Sequence, residues 1–91
     1  MNTDKQNDDQ GQIGVNKDQT CSLVLYNDDY HSFDFVINAL VKICGMDIIQ
    51  AAQCTYLVHF KDNCEVKHGT ISILSPMQSE LIKLDLKAEI K

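Results

Sequence analysis

The sequence predicts a small α+β sandwich, a three-stranded antiparallel sheet carrying three helices on one face, in the order β-α-α-β-α-β. Three observations lead there. Apolar residues recur at helical spacing in three separate stretches. Short β-branched or alternating stretches lie before, between and after them. The chain has 91 residues, enough for one domain, and strands interleaved with helices in so short a chain bury their apolar faces best as two packed layers.

Cys21 to Tyr26 is short, apolar and partly β-branched, a strand, and Asn27-Asp28-Asp29 ends it because these side chains favour turns. Ser32 is placed as a helix N-cap with Asp34 in the first turn. Phe33, Val36, Ile37, Leu40, Val41 and Cys44 then form one apolar stripe, and Gly45 stops the helix in the left-handed conformation. Asp47 opens a second helix with Gln50 three residues on, as in a capping box. Ile48, Ala51, Ala52, Thr55, Val58 and His59 share its face, with Leu57 and Phe60 off that stripe and expected to pack elsewhere. After the polar turn Lys61-Asp62-Asn63, Cys64, Val66 and His68 alternate with Glu65 and Lys67 in a half-exposed strand that Gly69 breaks. Leu74, Met77, Leu81 and Leu84 mark the third helix, for which Pro76 fits best at the first helical position with Ser75 as cap. Leu86, Ala88 and Ile90 alternate with Lys87, Glu89 and Lys91, the clearest strand signal in the chain.

Residues 1–19 are set apart by composition. They are rich in Asn, Asp, Gln and Gly, and only Ile13 and Val15 are apolar beyond Met1. Such a segment buries too little surface to offset the entropy of ordering, so a disordered tail 1–19 preceding a folded core 20–91 is expected.

Charge and cysteine usage exclude several function classes. The net charge is −5, with no Arg and eight scattered Lys, the opposite of the clustered cations that nucleic acid requires. No apolar run reaches the ~18 residues of a membrane span, and residues 1–19 lack the apolar core of a secretory signal. A cytoplasmic protein that binds neither nucleic acid nor membrane is expected. Cys21, Cys44, Cys54 and Cys64 include no C-x-x-C pair, and three of the four lie in apolar segments, so reduced, mostly buried cysteines are expected.

Two groups of residues bear on chemistry. Asn27, Asp28 and Asp29 gather acceptors where a strand meets a helix, and His59 lies at the far end of an apolar helical face. If the two helices pack side by side, these acceptors converge beside apolar walls, the environment that an ammonium on an apolar residue needs. The plainer readings are an ordinary turn and a satisfied core histidine. Enzymatic readings find less support. Cys54 and His59 are five residues apart, hence about 140° apart on one helix, and form no local nucleophile–base pair. Nothing marks an oxyanion site, a phosphate-cradling loop or a metal set among His31, His59 and His68. No enzymatic activity, cofactor or metal is expected.

Taken together, Leu25-Tyr26-Asn27-Asp28-Asp29-Tyr30 followed by Phe33-Asp34-Phe35-Val36 resembles the opening of ClpS adaptor domains. So does Gln50-Ala51-Ala52-Gln53 leading to Leu57-Val58-His59-Phe60, and the ending Leu86-Lys87-Ala88-Glu89-Ile90 resembles the family's last strand. The resemblance spans roughly Leu23 to Ile90. It implies an adaptor that captures N-degron substrates, proteins with a bulky apolar or aromatic first residue, and delivers them to a Clp AAA+ unfoldase of the ClpA or ClpC type. It implies that Asn27 and His59 bind the α-ammonium, that Asp28 assists there and at the following amide, and that Asp29 shapes the turn. It implies an apolar pocket lined by His31, Phe33, Val36, Thr55, Val58 and Leu86, and a tail that engages the unfoldase. Phe33 and Thr55 stand where the family pattern commonly has Met. A similar fold occurs in the C-terminal factor-docking domain of the ribosomal stalk protein, which calls for a Lys-rich, Gly-containing helix face that this chain lacks.

Overall fold

The computed structural model describes residues 19–91. The tail expected at residues 1–19 therefore lies, but for Gln19, outside the described residues. The elements are β1 (Thr20–Tyr26), α1 (Phe33–Cys44), α2 (Ile48–Lys61), β2 (Asn63–Thr70), α3 (Ile71–Lys83) and β3 (Lys87–Ile90). They form one antiparallel sheet, ordered β2-β1-β3, with β1 central and paired on both edges. Leu23, Leu25, Val66 and Ala88 point to the helix-covered face and join Val36, Leu40, Ala51, Val58, Leu74 and Leu81 in a single core. The expected three-stranded α+β fold is the one observed.

Local chemistry accounts for the first two helices. Ser32 is extended, and its hydroxyl accepts the Phe35 N–H at 3.1 Å, satisfying one of the orphan donors of α1. Gly45 closes α1 at φ 70°, where a side chain is strained. Asp47 caps α2 by accepting the Gln50 N–H at 2.8 Å.

The structure departs from the sequence reading at four places. α3 begins at Ile71, one turn and more before Pro76, which sits inside the helix. The proline lacks the N–H that would reach the Ser72 carbonyl, and the helix tolerates this single missing bond because Leu74 and Leu81 are fully buried on either side of it. The sheet register slips between Leu23 and Val24, which pair with Lys67 and Glu65 and leave Val66 as an extra residue. The bulge reverses the alternation beyond it. Lys67 turns to the helix side near Cys44, while His68 turns to the open face, where Ser22 Oγ lies 3.4 Å from its Nδ1 and donates to Glu65 at 2.6 Å. Ile48, placed on the inner face of α2 by spacing, is exposed in its first turn, and Leu57 and Phe60 are exposed as well.

The fourth departure concerns the cysteines. Cys54 of α2 and Cys64 of β2 are joined in a disulfide, with Cα atoms 5.9 Å apart, so the expectation of four reduced thiols fails for this pair. The chain reverses at Asp62, in the left-handed conformation at φ 81°, and this reversal lays β2 back along α2. Two cysteines ten residues apart thereby meet without any short motif to announce it. Cys21 and Cys44 remain free, and burial pushes the Cys44 thiol above its ordinary pKa, against a small opposing effect of Lys67.

A crosslink closing a loop of this length restricts the unfolded chain by about 2.5–3 kcal/mol. Reduction should lower the free energy of unfolding by about that amount, read as a lower urea midpoint in the presence of a dithiol reductant. An unchanged midpoint, with mass spectrometry showing the thiols reduced, would mean that the bridge adds nothing to stability.

Candidate functional site at the junction of β1 and α2

The last paired residue of β1, Tyr26, lies opposite Asn63. One residue on, the Asn27 N–H donates to the Asp62 carbonyl at 2.9 Å. This bond fixes the Asn27-Asp28-Asp29 turn against the C-terminal end of α2, one turn from His59. Residues more than thirty positions apart are thus brought to one end of the molecule by strand pairing alone.

The turn is organised by its own side chains. Asn27 Oδ1 faces the Asp29 N–H at 3.4 Å, and its Nδ2 donates to Asp29 Oδ1 at 3.3 Å. Asp29 is left-handed at φ 72°, a conformation that aspartate tolerates better than most residues. Asp28 Oδ1 accepts the N–H groups of Tyr30 at 3.0 Å and His31 at 2.9 Å, while its other oxygen is bonded to His31 Nδ1. Burial works to raise the pKa of this carboxyl. The donors from the His31 and Tyr30 backbone and from the His31 ring outweigh it, and Asp28 titrates below its ordinary value.

His31 reaches further. Its Nε2 lies 3.0 Å from the Leu84 carbonyl, and its ring stacks on Phe35 with centroids 4.8 Å apart. Tyr30 donates its hydroxyl to Asp85, which is itself left-handed at φ 67°. The Asp85 carboxylate accordingly pushes the Tyr30 phenol above its ordinary pKa. Together His31 and Tyr30 strap the turn to the segment just before β3, the segment that carries Leu86.

His59 is held from below. Its Nδ1 lies 3.1 Å from the Thr55 carbonyl. A carbonyl can only accept, so Nδ1 carries the hydrogen and Nε2 of the neutral ring keeps a lone pair. Phe33, the first residue of α1, packs on the His59 ring with centroids 5.1 Å apart. The Asn27-Asp28-Asp29 turn and the His59 ring, with Phe33 beside it, thus lie at the same end of the molecule.

The remaining residues of the expected pocket lie deeper. Val36, Thr55, Val58 and Leu86 are at most 4% exposed, and the Thr55 hydroxyl is satisfied by the Ala51 carbonyl at 2.7 Å. They belong to the buried interior rather than forming open walls. Leu86 and Asn27 also border a cavity of about 500 Å³ near Asp62 and Lys87. A second, apolar hollow of about 580 Å³ lies on the outer side of Phe33, bounded by Ala52, Gln53, Tyr56 and Leu57. Sequence reasoning missed this hollow and the Tyr30–Asp85 strap. The available signal was that Tyr56, Leu57 and Phe60 are apolar yet off the buried stripe.

A family model, that of the ATP-dependent Clp protease adaptor protein ClpS, matches residues 16–89. The chain belongs to the ClpS family. Of the two readings that the fold allowed, the family match selects the protease adaptor over the stalk-like module. Among solved structures, Agrobacterium tumefaciens ClpS2 bound to L-phenylalaninamide aligns with a TM-score of 0.77 and 19% identity, covering 81% of this chain and 96% of that one. At that identity the likeness speaks for the ClpS fold. No curated protein sequence matches significantly. Among the described residues, no helix is long and apolar enough to cross a membrane.

The lowered pKa of Asp28 has a defined sign. A carboxyl with a depressed folded pKa contributes stability that is full above its unfolded value and is lost as pH falls through the folded one. Asp28→Asn should therefore cost up to about 1.5–3 kcal/mol at neutral pH, the range for hydrogen bonds to a charged group. The gap to the native chain should narrow below roughly pH 4. Urea midpoints at neutral and acid pH measure this, and a gap that does not change with pH would contradict an ionised Asp28 anchoring the turn.

Proposed function

We propose that this ClpS-family adaptor binds the free N-terminus of proteins beginning with a bulky apolar or aromatic residue. It then delivers them to a Clp AAA+ unfoldase and its peptidase. The observation that supports the reading is the Asn27 N–H bond to the Asp62 carbonyl, which sets the Asn27-Asp28-Asp29 turn against the end of α2 one turn from His59, whose Nδ1 is held by the Thr55 carbonyl. The phenylalaninamide bound to the similar ClpS2 supports it, since that ligand is a single apolar residue with a free amino group.

Each residue then has a role. Asn27 Oδ1 and His59 Nε2 accept from the α-ammonium, and the Asp28 carboxylate supplies negative charge nearby. Three donors already occupy Asp28, which leaves it little capacity for a further direct bond and suits an electrostatic and positioning role. Asp29 holds the turn through its left-handed backbone. Phe33 leaves the His59 ring to admit the first side chain, which settles on Val36, Thr55, Val58 and Leu86, with His31 fixing the wall that carries Leu86. Burying a Leu or Phe side chain there contributes about 1.5–3 kcal/mol. The ammonium bonds add the discrimination, because an internal residue offers none. No cofactor takes part, and the tail before Thr20 serves docking to the unfoldase.

Asn27→Ala and His59→Ala should each weaken binding of a Leu-initiated peptide by about 1.5–3 kcal/mol, the value of a charge-assisted hydrogen bond. Circular dichroism should show both variants folded. Native affinity in both would remove the ammonium assignment.

A further inference from the structure

In the reading above, the first residue of a bound chain settles beneath Phe33 and leaves the hollow beside Ala52, Gln53, Tyr56 and Leu57 unoccupied. Its floor is Ala52, the small side chain one turn before Tyr56 on α2, and its walls are Phe33, Tyr56 and Leu57. Tyr56 is 56% exposed, and its ring leans on Phe60 with centroids 4.5 Å apart. Gln53 is the polar residue at its edge, and no charged side chain lines it. Phe33 belongs to both places, since one side of it packs on His59 and the other faces the hollow.

We infer that this hollow is a second subsite, which takes an apolar or aromatic side chain from the two residues that follow the first residue of the substrate. The inference rests on the N-terminal reading above and extends it. Distance along the chain supports it. Tyr56 and Ala52 precede His59 by three and seven residues, or about 4.5 and 10.5 Å of helix rise. An extended chain whose ammonium lies at His59 advances about 3.3 Å per residue. Its second and third residues, about 3.3 and 6.6 Å on, therefore lie on either side of Tyr56 if the chain leaves over Phe33. Apolar area without charge favours apolar partners, and Tyr56 offers a large rigid face at low entropic cost. The adaptor thus reads two side chains, one beneath Phe33 and one outside it.

The test uses the full chain and four ligands: leucinamide, Leu-Gly-Gly-Gly, Leu-Phe-Gly-Gly and Leu-Gly-Phe-Gly. One of the two Phe-containing peptides should bind about five- to tenfold more tightly than the all-glycine peptide, the gain expected from partial burial of an aromatic ring. Tyr56→Ala, a change at an exposed position, should remove that gain and leave leucinamide binding as it was. Equal affinity of the three peptides for the native chain overturns the subsite, as does a gain that survives Tyr56→Ala. Loss of leucinamide binding in Tyr56→Ala overturns it in another way, by assigning the hollow to the first residue. Failure of leucinamide to bind the native chain removes the N-terminal reading and this inference with it.

Discussion

The backbone bond from Asn27 to the Asp62 carbonyl continues the β1–β2 ladder one step past its last pair, and the geometry of the site hangs on that step. Without it the Asn-Asp-Asp turn would be a loop on a strand end, and His59 a histidine on an unrelated helix. The ladder is fixed in turn by the core, because a register shift would carry Leu23 and Leu25 from the buried face to the open one. Stability and site geometry are thus one constraint: the packing that buries the two leucines also aims Asn27 at the end of α2. The disulfide between Cys54 and Cys64 reinforces the same junction from the other side, tying the middle of α2 to the first turn of β2.

Short-range chemistry is what the sequence makes legible. Ser32, Gly45 and Asp47 act where their side chains, or the lack of one, require, and the stripes of α1 and α2 bury Val36, Leu40, Ala51 and Val58 as their spacing implies. The third helix misleads because Pro76 has the chemistry of a start signal. A proline inside a helix costs about 3 kcal/mol in isolation, and the burial of Leu74 and Leu81 works against that cost. Alternation puts His68 on the wrong face because it assumes a regular ladder, and nothing in the local sequence announces the bulge at Val66. The Cys54–Cys64 pair escapes the sequence for a similar reason: it depends on the reversal at Asp62, which is a tertiary event.

The site divides along the same line. That acceptors gather in Asn27-Asp28-Asp29 is directly legible, because Asn and Asp organise turns through their own side chains. That His59 presents Nε2 is not, because the tautomer is set by a carbonyl one helical turn away. His31, assigned to the pocket by resemblance alone, stands between Asp28 and the Leu84 carbonyl and holds two segments together. Val36, Thr55, Val58 and Leu86 are too deeply buried to be approached in this conformation. Phe33 stands at the first position of α1 with its ring against His59.

The central claim is that the acceptors at this junction recognise a free α-ammonium. A direct comparison is the titration of one Leu-initiated peptide with its Nα-acetylated twin against the folded chain. Acetylation keeps the side chain and removes the charge and two of the donors. It should lower affinity at least tenfold, because charge-assisted bonds to the ammonium are lost. Equal affinity for the two peptides would contradict the account, leaving an apolar surface that binds side chains without reading the N-terminus.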